Sequence, residues 1–419
     1  MDRFDQNVDV KILFSVFFLS LVFPSHGRAA GYQIPNQSLR AVGIAGATVA
    51  NTPGPEASYY NPANMSFLDE LWQMETSLTM LHLPSISYTD NRTAMMDGSS
   101  DSEMFYLPQL HLVSKKYSRV RFGFSLTYPY GLAKQWSQPY PAATARKFSL
   151  DVIEANPSFS YAVSPLFSVG GGGRLIYSEG EVVNGVPGLS RELEGDDFCL
   201  GYNLAATYSP SPPWRLSATY RSEVDLGLEG DAVLNAAVDG TTVMGYSGPG
   251  YLDVPLPAVF SLATSYAWEN LTFEITWNRT FWSAVESFDF QYDQSFLGTP
   301  FDAFDRPLVK DWSDSDAFRF GLTWEINAVW QATFGFAIDE TPVREETLGF
   351  ELPDSDGYMY SAGVRYAVSD RVKIGVSYMF YYTTSKTVTG EPVAGLPGIE
   401  GRFEDGGAHA VNVGAVFSW

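Results

Sequence analysis

Residues with the chemistry for catalysis or metal binding are few in this chain and lie far apart. The histidines are His26, His82, His111 and His409, and the single cysteine is Cys199. A zinc site needs several Cys or His ligands at short spacing, and the chain has none. The scattered histidines do not suggest a Ser-His-acid site, whose members are recognised by geometry and not by sequence position. We therefore predict no metal, no cofactor and no enzymatic activity. We expect Cys199 to be a small apolar filler.

The composition excludes several classes of protein. The 419 residues carry a formal net charge of −22, and charged side chains make up 18% of the chain, against about 25% in an ordinary globular domain. A nucleic-acid binder needs a basic surface, so this charge argues against nucleic acid as a partner. Aromatic residues reach 15%, which is too apolar for a disordered chain. A β-rich body with an acidic exterior remains.

The N-terminal residues have the pattern of an export signal. An apolar run from Ile12 to Phe23 follows Lys11, and small residues come after Pro24. The run is shorter than the about 20 residues that span a bilayer, and its pattern is typical of a secretory signal peptide. We predict a signal peptide over residues 1–29. An uncleaved anchor or a buried strand is the alternative.

Most of the remaining chain alternates apolar and polar residues, which is the repeat of a half-exposed β-strand. Residues 318–327 read FRFGLTWEIN, with Phe, Phe, Leu, Trp and Ile on one face and Arg, Gly, Thr, Glu and Asn on the other. The apolar faces end in aromatic residues, as lipid-facing barrel strands do at the two membrane interfaces. We therefore predict an all-β transmembrane fold, a 14-stranded antiparallel outer-membrane β-barrel over residues 71–419.

The lengths of the predicted links support a barrel. The predicted strand centres lie near residues 77, 108, 123, 159, 172, 203, 220, 260, 275, 319, 334, 362, 377 and 414. Links after the even-numbered strands are short, whereas links after the odd-numbered strands, such as residues 178–197 after the fifth strand, are long and hold most of the acidic residues. Short periplasmic turns and longer external loops produce this alternation.

The stretch before the first strand has a different character. Residues 30–70 combine Gly- and Pro-rich turns with apolar side chains that need burial. A barrel of this size encloses a lumen too wide for its wall side chains to fill. We predict that residues 30–70 form an N-terminal plug (hatch) inside the lumen. An arm in the periplasm is the alternative.

Several motifs carry a family resemblance. AGYQ at 30–33, VGIAGA at 42–47 and YNPANM at 60–65 resemble the hatch of the FadL/TodX family, and YGLA at 130–133 and YRSEV at 220–224 follow in the family's order. Members of that family are outer-membrane transporters of long-chain fatty acids and hydrocarbons. The resemblance implies uptake of such compounds by passive diffusion through a plugged barrel, with lateral exit into the bilayer of a Gram-negative outer membrane. A general porin for small solutes is the first alternative, and an outer-membrane enzyme is the second.

The resemblance also assigns site residues. It implies that Tyr32, Asn61, Pro62 and Ala63 belong to the hatch and its gate. It places a kink in the third strand at Gly123, where a lateral gap would open. The alternatives are an ordinary Asn-Pro turn and a glycine that merely makes room in the lumen.

The resemblance further implies a ligand pocket at Phe288, Asp289 and Phe290. Fatty-acid members carry a basic residue where Asp289 stands, and a carboxylate there would repel a fatty-acid anion. This shifts the expected ligand toward neutral hydrocarbons, unless Arg174 or Lys373 compensates from a neighbouring strand. The expected partners are a hydrophobic small molecule and outer-membrane lipid, and we expect a monomer because a closed barrel needs no partner strand.

Overall fold

Fourteen strands of this protein close into an antiparallel barrel. The computed structural model describes residues 31–390 and 398–419, so the predicted signal peptide lies outside the described residues. The first barrel strand pairs both with the second and with the last, which closes the sheet. The barrel strands, in chain order, are β1 (Gln73–Leu83), β2 (Glu103–Val113), β3 (Val120–Gln135), β4 (Lys147–Ala162), β5 (Phe167–Val186), β6 (Leu189–Ser211), β7 (Trp214–Arg221), β8 (Val259–Trp268), β9 (Leu271–Thr280), β10 (Ser315–Glu325), β11 (Trp330–Asp339), β12 (Gly357–Ser369), β13 (Val372–Thr383) and β14 (Gly407–Ser418).

The predicted number and order of strands are confirmed. Each predicted strand centre falls inside one of the fourteen strands. One end of the barrel carries only short turns, and those at 212–213, 269–270 and 370–371 hold just two residues each. The alternation of apolar and polar residues was therefore sufficient to find every barrel strand.

The prediction of a long loop over residues 178–197 was wrong. Strands β5 and β6 run for 20 and 23 residues, and their register continues without a break to the pair Val186 with Leu189. Alternation persists through this stretch, because Leu193 is buried while Glu192 and Glu194 are exposed. The acidic residues mark the outer face of a sheet that projects beyond the barrel.

A hairpin of strands Val224–Val238 and Thr241–Leu256 widens this external sheet. Its first strand pairs with β6, where Glu229 lies opposite Asp196, and its second strand pairs with strand Ser287–Tyr292. The buried apolar residues of its inner face are Leu226, Leu228, Leu252, Val254 and Leu256. They pack into one apolar core with side chains from the other external connections.

The N-terminal segment, residues 31–70, contains only short helical turns. These are α1 (Leu39–Gly43), α2 (Ala57–Tyr60) and a 3-10 turn at Pro62–Phe67. The Ser38 hydroxyl caps α1 by accepting the backbone N–H of Ala41 at 3.1 Å, as N-cap serines do. No helix in the described part of the chain is long and apolar enough to cross a membrane.

The outer faces of the barrel strands are apolar and exposed. Leu204, Phe334 and Ile374 expose 56%, 47% and 46% of their surface. Exposed tryptophans at strand ends are Trp214, Trp268, Trp330 and Trp419. Such a surface is unfavourable in water and is typical of a lipid-facing band flanked by aromatic girdles.

Candidate functional site

The barrel wall has a gap between β2 and β3. The two strands pair at only four positions, near the turn that joins them. They meet again at the external end, where the backbone N–H of Asp101 donates to the carbonyl of Gln135 at 2.8 Å. Between these two points, residues 103–109 of β2 and 127–134 of β3 form no ladder with each other. We call this opening the slot.

The slot begins where β3 bends. The register between β3 and β4 shifts between Thr127 and Tyr130, and such irregularities bend a strand. Pro129, inside the shift, has no backbone N–H to contribute to a ladder. Gly123, the predicted position of the kink, keeps regular pairs with both neighbouring strands. The kink therefore lies several residues further along the strand.

Gly123 makes room for the N-terminal segment. A Cβ atom at this position would lie 2.6 Å from Ser158 Oγ of β4, and 2.7 Å from both Met65 Sδ and Ser58 Cβ. All three distances are far below ordinary van der Waals contact, and Met65 and Ser58 belong to the N-terminal segment. This geometry agrees with the alternative considered for Gly123, a glycine that gives space in the lumen.

The N-terminal segment pairs with the edge of β3 that β2 leaves free. The backbone N–H of Ile34 donates to Pro129 O at 2.8 Å, and the N–H of Gly131 donates to Tyr32 O at 3.0 Å. Gln33, between Tyr32 and Ile34, forms an antiparallel bridge with a residue of β3. Residues 32–34 thus take the place of a neighbouring strand along the slot.

The side chain of Gln37 also takes the place of a neighbouring strand. Gln37 Nε2 donates to Tyr128 O at 2.7 Å, and the N–H of Tyr128 donates to Gln37 Oε1 at 2.8 Å. One amide therefore satisfies both backbone groups of a residue that has lost its partner strand. The backbone carbonyl of Gln37 lies 2.7 Å from His111 Nε2 in β2. Gln37 thus contacts both strands that border the slot.

An apolar cavity of about 210 Å³ lies beside the slot. Its wall includes Phe105 and Leu107 of β2, and Leu132 and Lys134 of β3. Further lining residues come from the N-terminal segment and from other strands, namely Ile34, Pro35, Leu81, Leu83, Met359 and Met379. The cavity is therefore bordered by the same two strands that separate at the slot.

Tyr32 lines this cavity and also belongs to the external apolar core. It is only 2% exposed. Its ring packs edge-on against Trp282, with ring centres 4.8 Å apart, and lies 5.7 Å from the ring of Trp312. Its hydroxyl donates to the carbonyl of Pro255 in the external hairpin. Tyr32 thus connects the N-terminal segment to the external connections.

Asp354, in the connection between β11 and β12, forms a hydrogen bond with the backbone of Gly31 in the N-terminal segment. Its carboxylate accepts the backbone N–H of Gly31 at 3.2 Å and the hydroxyl of Thr341 at 2.7 Å, and it also lines the apolar cavity. Burial raises the pKa of Asp354 to about 7, although these hydrogen bonds act in the opposite direction. The contact with Gly31 therefore involves a group that titrates near neutral pH.

Asn61, Pro62 and Ala63 lie against β5 and β6, away from the slot. The Asn61 amide donates to Thr207 Oγ1 in β6 at 2.9 Å, and its Oδ1 accepts the N–H of Ala63 at 3.1 Å. A Cβ atom at Gly170 of β5 would lie 2.7 Å from the backbone nitrogen of Ala63. Asn61 therefore fastens the N-terminal segment to the wall, and the free edge of β3 is capped by other residues.

Phe288, Asp289 and Phe290 lie on alternate faces of the external strand Ser287–Tyr292. Phe288 and Phe290 are 1% and 2% exposed and belong to the inner apolar core. Asp289 points to the other face, where its carboxylate accepts a hydrogen bond of 3.0 Å from Gln291 Nε2. Because Asp289 points away from the apolar core, its carboxylate would not face an anionic ligand that packs against Phe288 and Phe290.

Phe290 borders a second, larger space. This external groove has a volume of about 740 Å³ and is also lined by Phe304, Phe350 and Arg191. The guanidinium carbon of Arg191 lies 3.6 Å from the centre of the Phe290 ring, which is a cation–π distance. The groove combines aromatic surface with a cation on the outside of the barrel.

The two cations that the sequence analysis considered lie elsewhere. Arg174 is buried in an ion pair with Glu154, with Nε and Oε2 2.9 Å apart. Lys373 is exposed beside the turn between β12 and β13. The cation that lines the apolar cavity is Lys134 of β3, which sequence reasoning missed. Its local signal is a lysine that follows the apolar residues YGLA at 130–133.

The side chains that could ligate a metal stay apart. His82 and His409 stack with ring centres 5.9 Å apart, while His111 is buried beside the N-terminal segment. Cys199 is half-buried, and its Sγ lies 2.7 Å from Asp197 Oδ2. Within residues 31–390 and 398–419, no three His, Cys, Asp or Glu side chains are grouped so as to hold a metal ion.

The chain matches a known family over most of its length. Residues 20–408 match the family described as outer membrane protein transport protein (OMPP1/FadL/TodX). The chain belongs to this family. Membership in the FadL/TodX family confirms the predicted resemblance and places the protein in the outer membrane.

Relatives and solved structures agree with this assignment. The long-chain fatty acid transport protein of Escherichia coli O6:H1 is 25% identical over 311 residues, which cover 65% of this chain and 69% of that protein. A crystal structure of a Pseudomonas aeruginosa FadL homologue has a TM-score of 0.81 at 19% identity, covering 93% of this chain and 99% of that one. The Pseudomonas putida toluene transporter TodX has a TM-score of 0.71 at 16% identity, with coverage of 93% and 99%. At these identities, the solved structures establish the shared fold of the FadL/TodX barrel.

Proposed function

We propose that this protein takes up hydrophobic compounds, such as long-chain fatty acids or hydrocarbons, by passive diffusion across the outer membrane. In this proposal, residues 30–70 are a plug (hatch) inside the barrel of residues 71–419. The ligand leaves sideways, through the slot and into the bilayer. The observation that carries the proposal is the apolar cavity beside the slot, with the N-terminal segment covering the free edge of β3.

The chemistry of the cavity suits a hydrophobic ligand. Transfer of apolar surface out of water is favourable by about 25 cal/mol per Å². The cavity volume of about 210 Å³ exceeds that of an engineered protein cavity of about 150 Å³ that binds benzene. The cavity therefore accommodates a small hydrocarbon, or part of a longer alkyl chain whose remainder extends into the slot.

A direct route along the barrel axis is less suitable for such a ligand. Ion pairs lie in this direction, with Arg40 Nη2 and Glu274 Oε2 3.4 Å apart and Arg319 Nη2 and Asp339 Oδ1 2.8 Å apart. A hydrocarbon gains no solvation from these groups and would have to disrupt them. An exit between two strands leads instead to lipid, in which the ligand is soluble.

Contacts with several strands support a plug rather than a periplasmic arm. Arg40 Nη1 donates to Thr323 Oγ1 of β10 at 2.8 Å, and Ser377 Oγ of β13 donates to Leu39 O at 2.7 Å. Asn61 contacts β6. Because these strands lie in different parts of the barrel wall, one segment that contacts all of them fits inside the barrel.

These contacts also weigh against the alternative of a general porin. A porin needs a continuous aqueous path, whereas the N-terminal segment is largely buried against the wall. The proposed partners are accordingly the hydrophobic ligand and the surrounding outer-membrane lipid. We propose that the closed barrel functions as a monomer, since every barrel strand has two neighbours within the same chain.

Uptake measurements in cells that lack their own transporter of this kind test the proposal. A labelled monoaromatic hydrocarbon and a labelled long-chain fatty acid would be compared, with a small sugar as the porin control. We expect expression of the protein to accelerate uptake of at least one hydrophobic compound and to leave sugar entry unchanged. Rapid sugar entry, or no acceleration of either hydrophobic compound, would overturn the proposed function.

A further inference from the structure

Lys134 is a buried cation in an apolar cavity. It lies near the external end of β3, lines the cavity beside the slot and is 7% exposed. Within the described residues its amino group has no hydrogen bond or ion pair, and its nitrogen is not among the fully buried unpaired atoms, so it keeps some contact with solvent. Glu103, across the slot on β2, acts on it only through longer-range attraction.

The carboxylates that line the same cavity are already engaged or exposed. Asp339 is ion-paired with Arg319, with Oδ1 and Nη2 2.8 Å apart. Asp354 accepts hydrogen bonds from Gly31 and Thr341. Asp151, at the margin of the cavity, is exposed to the exterior. None of them provides Lys134 with a close partner.

Lys134 lies at one end of the apolar wall of the cavity. Leu132 lies two residues before it on β3, and Phe105 and Leu107 lie across the slot on β2, all lining the cavity. The cation therefore marks the external end of an apolar surface that runs along the slot. A molecule with a charged head and an alkyl chain matches this arrangement, with its head at Lys134 and its chain along the slot.

We propose that Lys134 binds the carboxylate head group of an amphiphilic ligand whose alkyl chain occupies the apolar cavity. The inference rests on the proposed function and specifies its ligand class. An ammonium group offers three donors to a carboxylate, and such charge-assisted hydrogen bonds are stronger than neutral ones. Neutral hydrocarbons would still enter the cavity, but they would leave Lys134 without a partner.

The test compares two probes that differ only in their head group. Labelled decanoate and labelled decan-1-ol would be equilibrated with the purified full-length protein in a non-ionic detergent. The variants are Lys134→Met, which removes the charge, and Lys134→Arg, which keeps it. Lys116→Met serves as a matched control, because Lys116 is exposed in the turn between β2 and β3.

We expect the unmodified protein to bind decanoate more tightly than decan-1-ol by about ten- to a hundredfold, the range for a hydrogen bond to a charged group. Lys134→Met removes this preference and leaves decan-1-ol affinity unchanged, whereas Lys134→Arg retains most of it. Lys116→Met has no effect on either probe.

An unchanged preference in Lys134→Met would overturn the assignment. An equal loss of affinity for decanoate and for decan-1-ol in Lys134→Met would also overturn it, because that result indicates a structural role for the lysine. Failure of the unmodified protein to bind either probe, together with no hydrocarbon uptake in cells, would reject the proposed function as well. Hydrocarbon uptake with no preference for decanoate would reject only the role of Lys134.

Discussion

The side-chain amide of Gln37 stands in for a missing strand partner beside Tyr128. Its two hydrogen bonds, 2.7 and 2.8 Å long, satisfy both the carbonyl and the N–H of Tyr128. The backbone of Tyr128 in β3 therefore keeps both hydrogen-bond partners although β2 does not pair with it. What closes the slot at this point is a side chain of the N-terminal segment and not a neighbouring barrel strand.

Replacing Gln37 with Leu should loosen this edge. The variant loses both bonds to Tyr128, and each neutral hydrogen bond contributes about 1 kcal/mol. We expect amide hydrogen exchange of residues 127–131 to accelerate by about ten- to thirtyfold, as a loss of about 2 kcal/mol in local stability implies. Gln291→Leu, on the external surface, is the control. Equal exchange in Gln37→Leu and the unmodified protein would show that the amide does not hold this edge.

Substitution of Gly123 with Ala should displace the N-terminal segment. The new methyl group would collide with Met65 and Ser58, and overpacking of this kind costs about 1–3 kcal/mol. We expect a lower denaturation midpoint in detergent and faster protease cleavage within residues 31–70. Gly173→Ala in β5 is the matched control, because nothing lies within 4 Å of a Cβ atom there. A similar small effect of both substitutions would contradict the close contact at Gly123.

Stability should depend on pH through Asp354. Burial raises the pKa of Asp354 to about 7, against about 3.9 in an unfolded chain. The folded state therefore binds the Asp354 proton more tightly than the unfolded chain does. The protonated carboxyl group of Asp354 makes its full contribution to the free energy of unfolding below about pH 4, and this contribution is lost as the pH rises through about 7. We expect Asp354→Asn to match the unmodified protein at acidic pH and to be the more stable of the two at about pH 8.

Thermal denaturation of both proteins across this pH range checks the prediction. The informative quantity is the difference in midpoint between Asp354→Asn and the unmodified protein. A difference that does not change with pH would indicate that the carboxyl group of Asp354 does not titrate in this range.

Asp289 should not determine which ligand is taken up. Its side chain lies on the outer face of the external strand, bonded to Gln291. We expect Asp289→Lys to leave the ratio of fatty-acid to hydrocarbon uptake within about twofold of the unmodified protein, as is usual for an exposed position away from a site. A marked rise in fatty-acid uptake would restore the sequence-based expectation that this position contacts the ligand.

The barrel could be predicted from sequence because its signal is local. Each strand alternates lipid-facing and inward residues, so the pattern in FRFGLTWEIN needs no knowledge of the other strands. The same rule also held beyond the membrane, where Glu192 and Glu194 alternate with buried residues. Charge alone assigns these acidic side chains to a loop, whereas the alternation with buried residues assigns them to a strand.

The candidate site could not be predicted in the same way, since it depends on contacts between distant segments. Gln37 and Tyr128 are 91 residues apart, and no local pattern distinguishes a glutamine that caps a strand from one that faces water. Gly123 was chosen because glycine often marks a bend, whereas the bend lies at Pro129, whose lack of an N–H matters only where a ladder is interrupted. For Lys134 the local signal, a lysine that follows YGLA, does not distinguish a cavity-lining residue from one that faces water.

A reversible crosslink between the N-terminal segment and β3 tests the central claim most directly. Gln33 and Tyr130 form an antiparallel bridge, and the Cα spacing of about 4.5–5.5 Å at such a pair suits a disulfide. The double variant Gln33→Cys with Tyr130→Cys would be made with Cys199→Ser, and the pair Val376→Cys with Val413→Cys, on the outer faces of β13 and β14, is the control.

We predict that oxidation of the Gln33–Tyr130 pair stops uptake of the hydrophobic compound, and that a reductant restores it. Oxidation of the control pair should leave uptake unchanged. If the oxidised Gln33–Tyr130 variant transports as fast as its reduced form, the N-terminal segment does not need to leave β3. That result would contradict lateral exit through the slot.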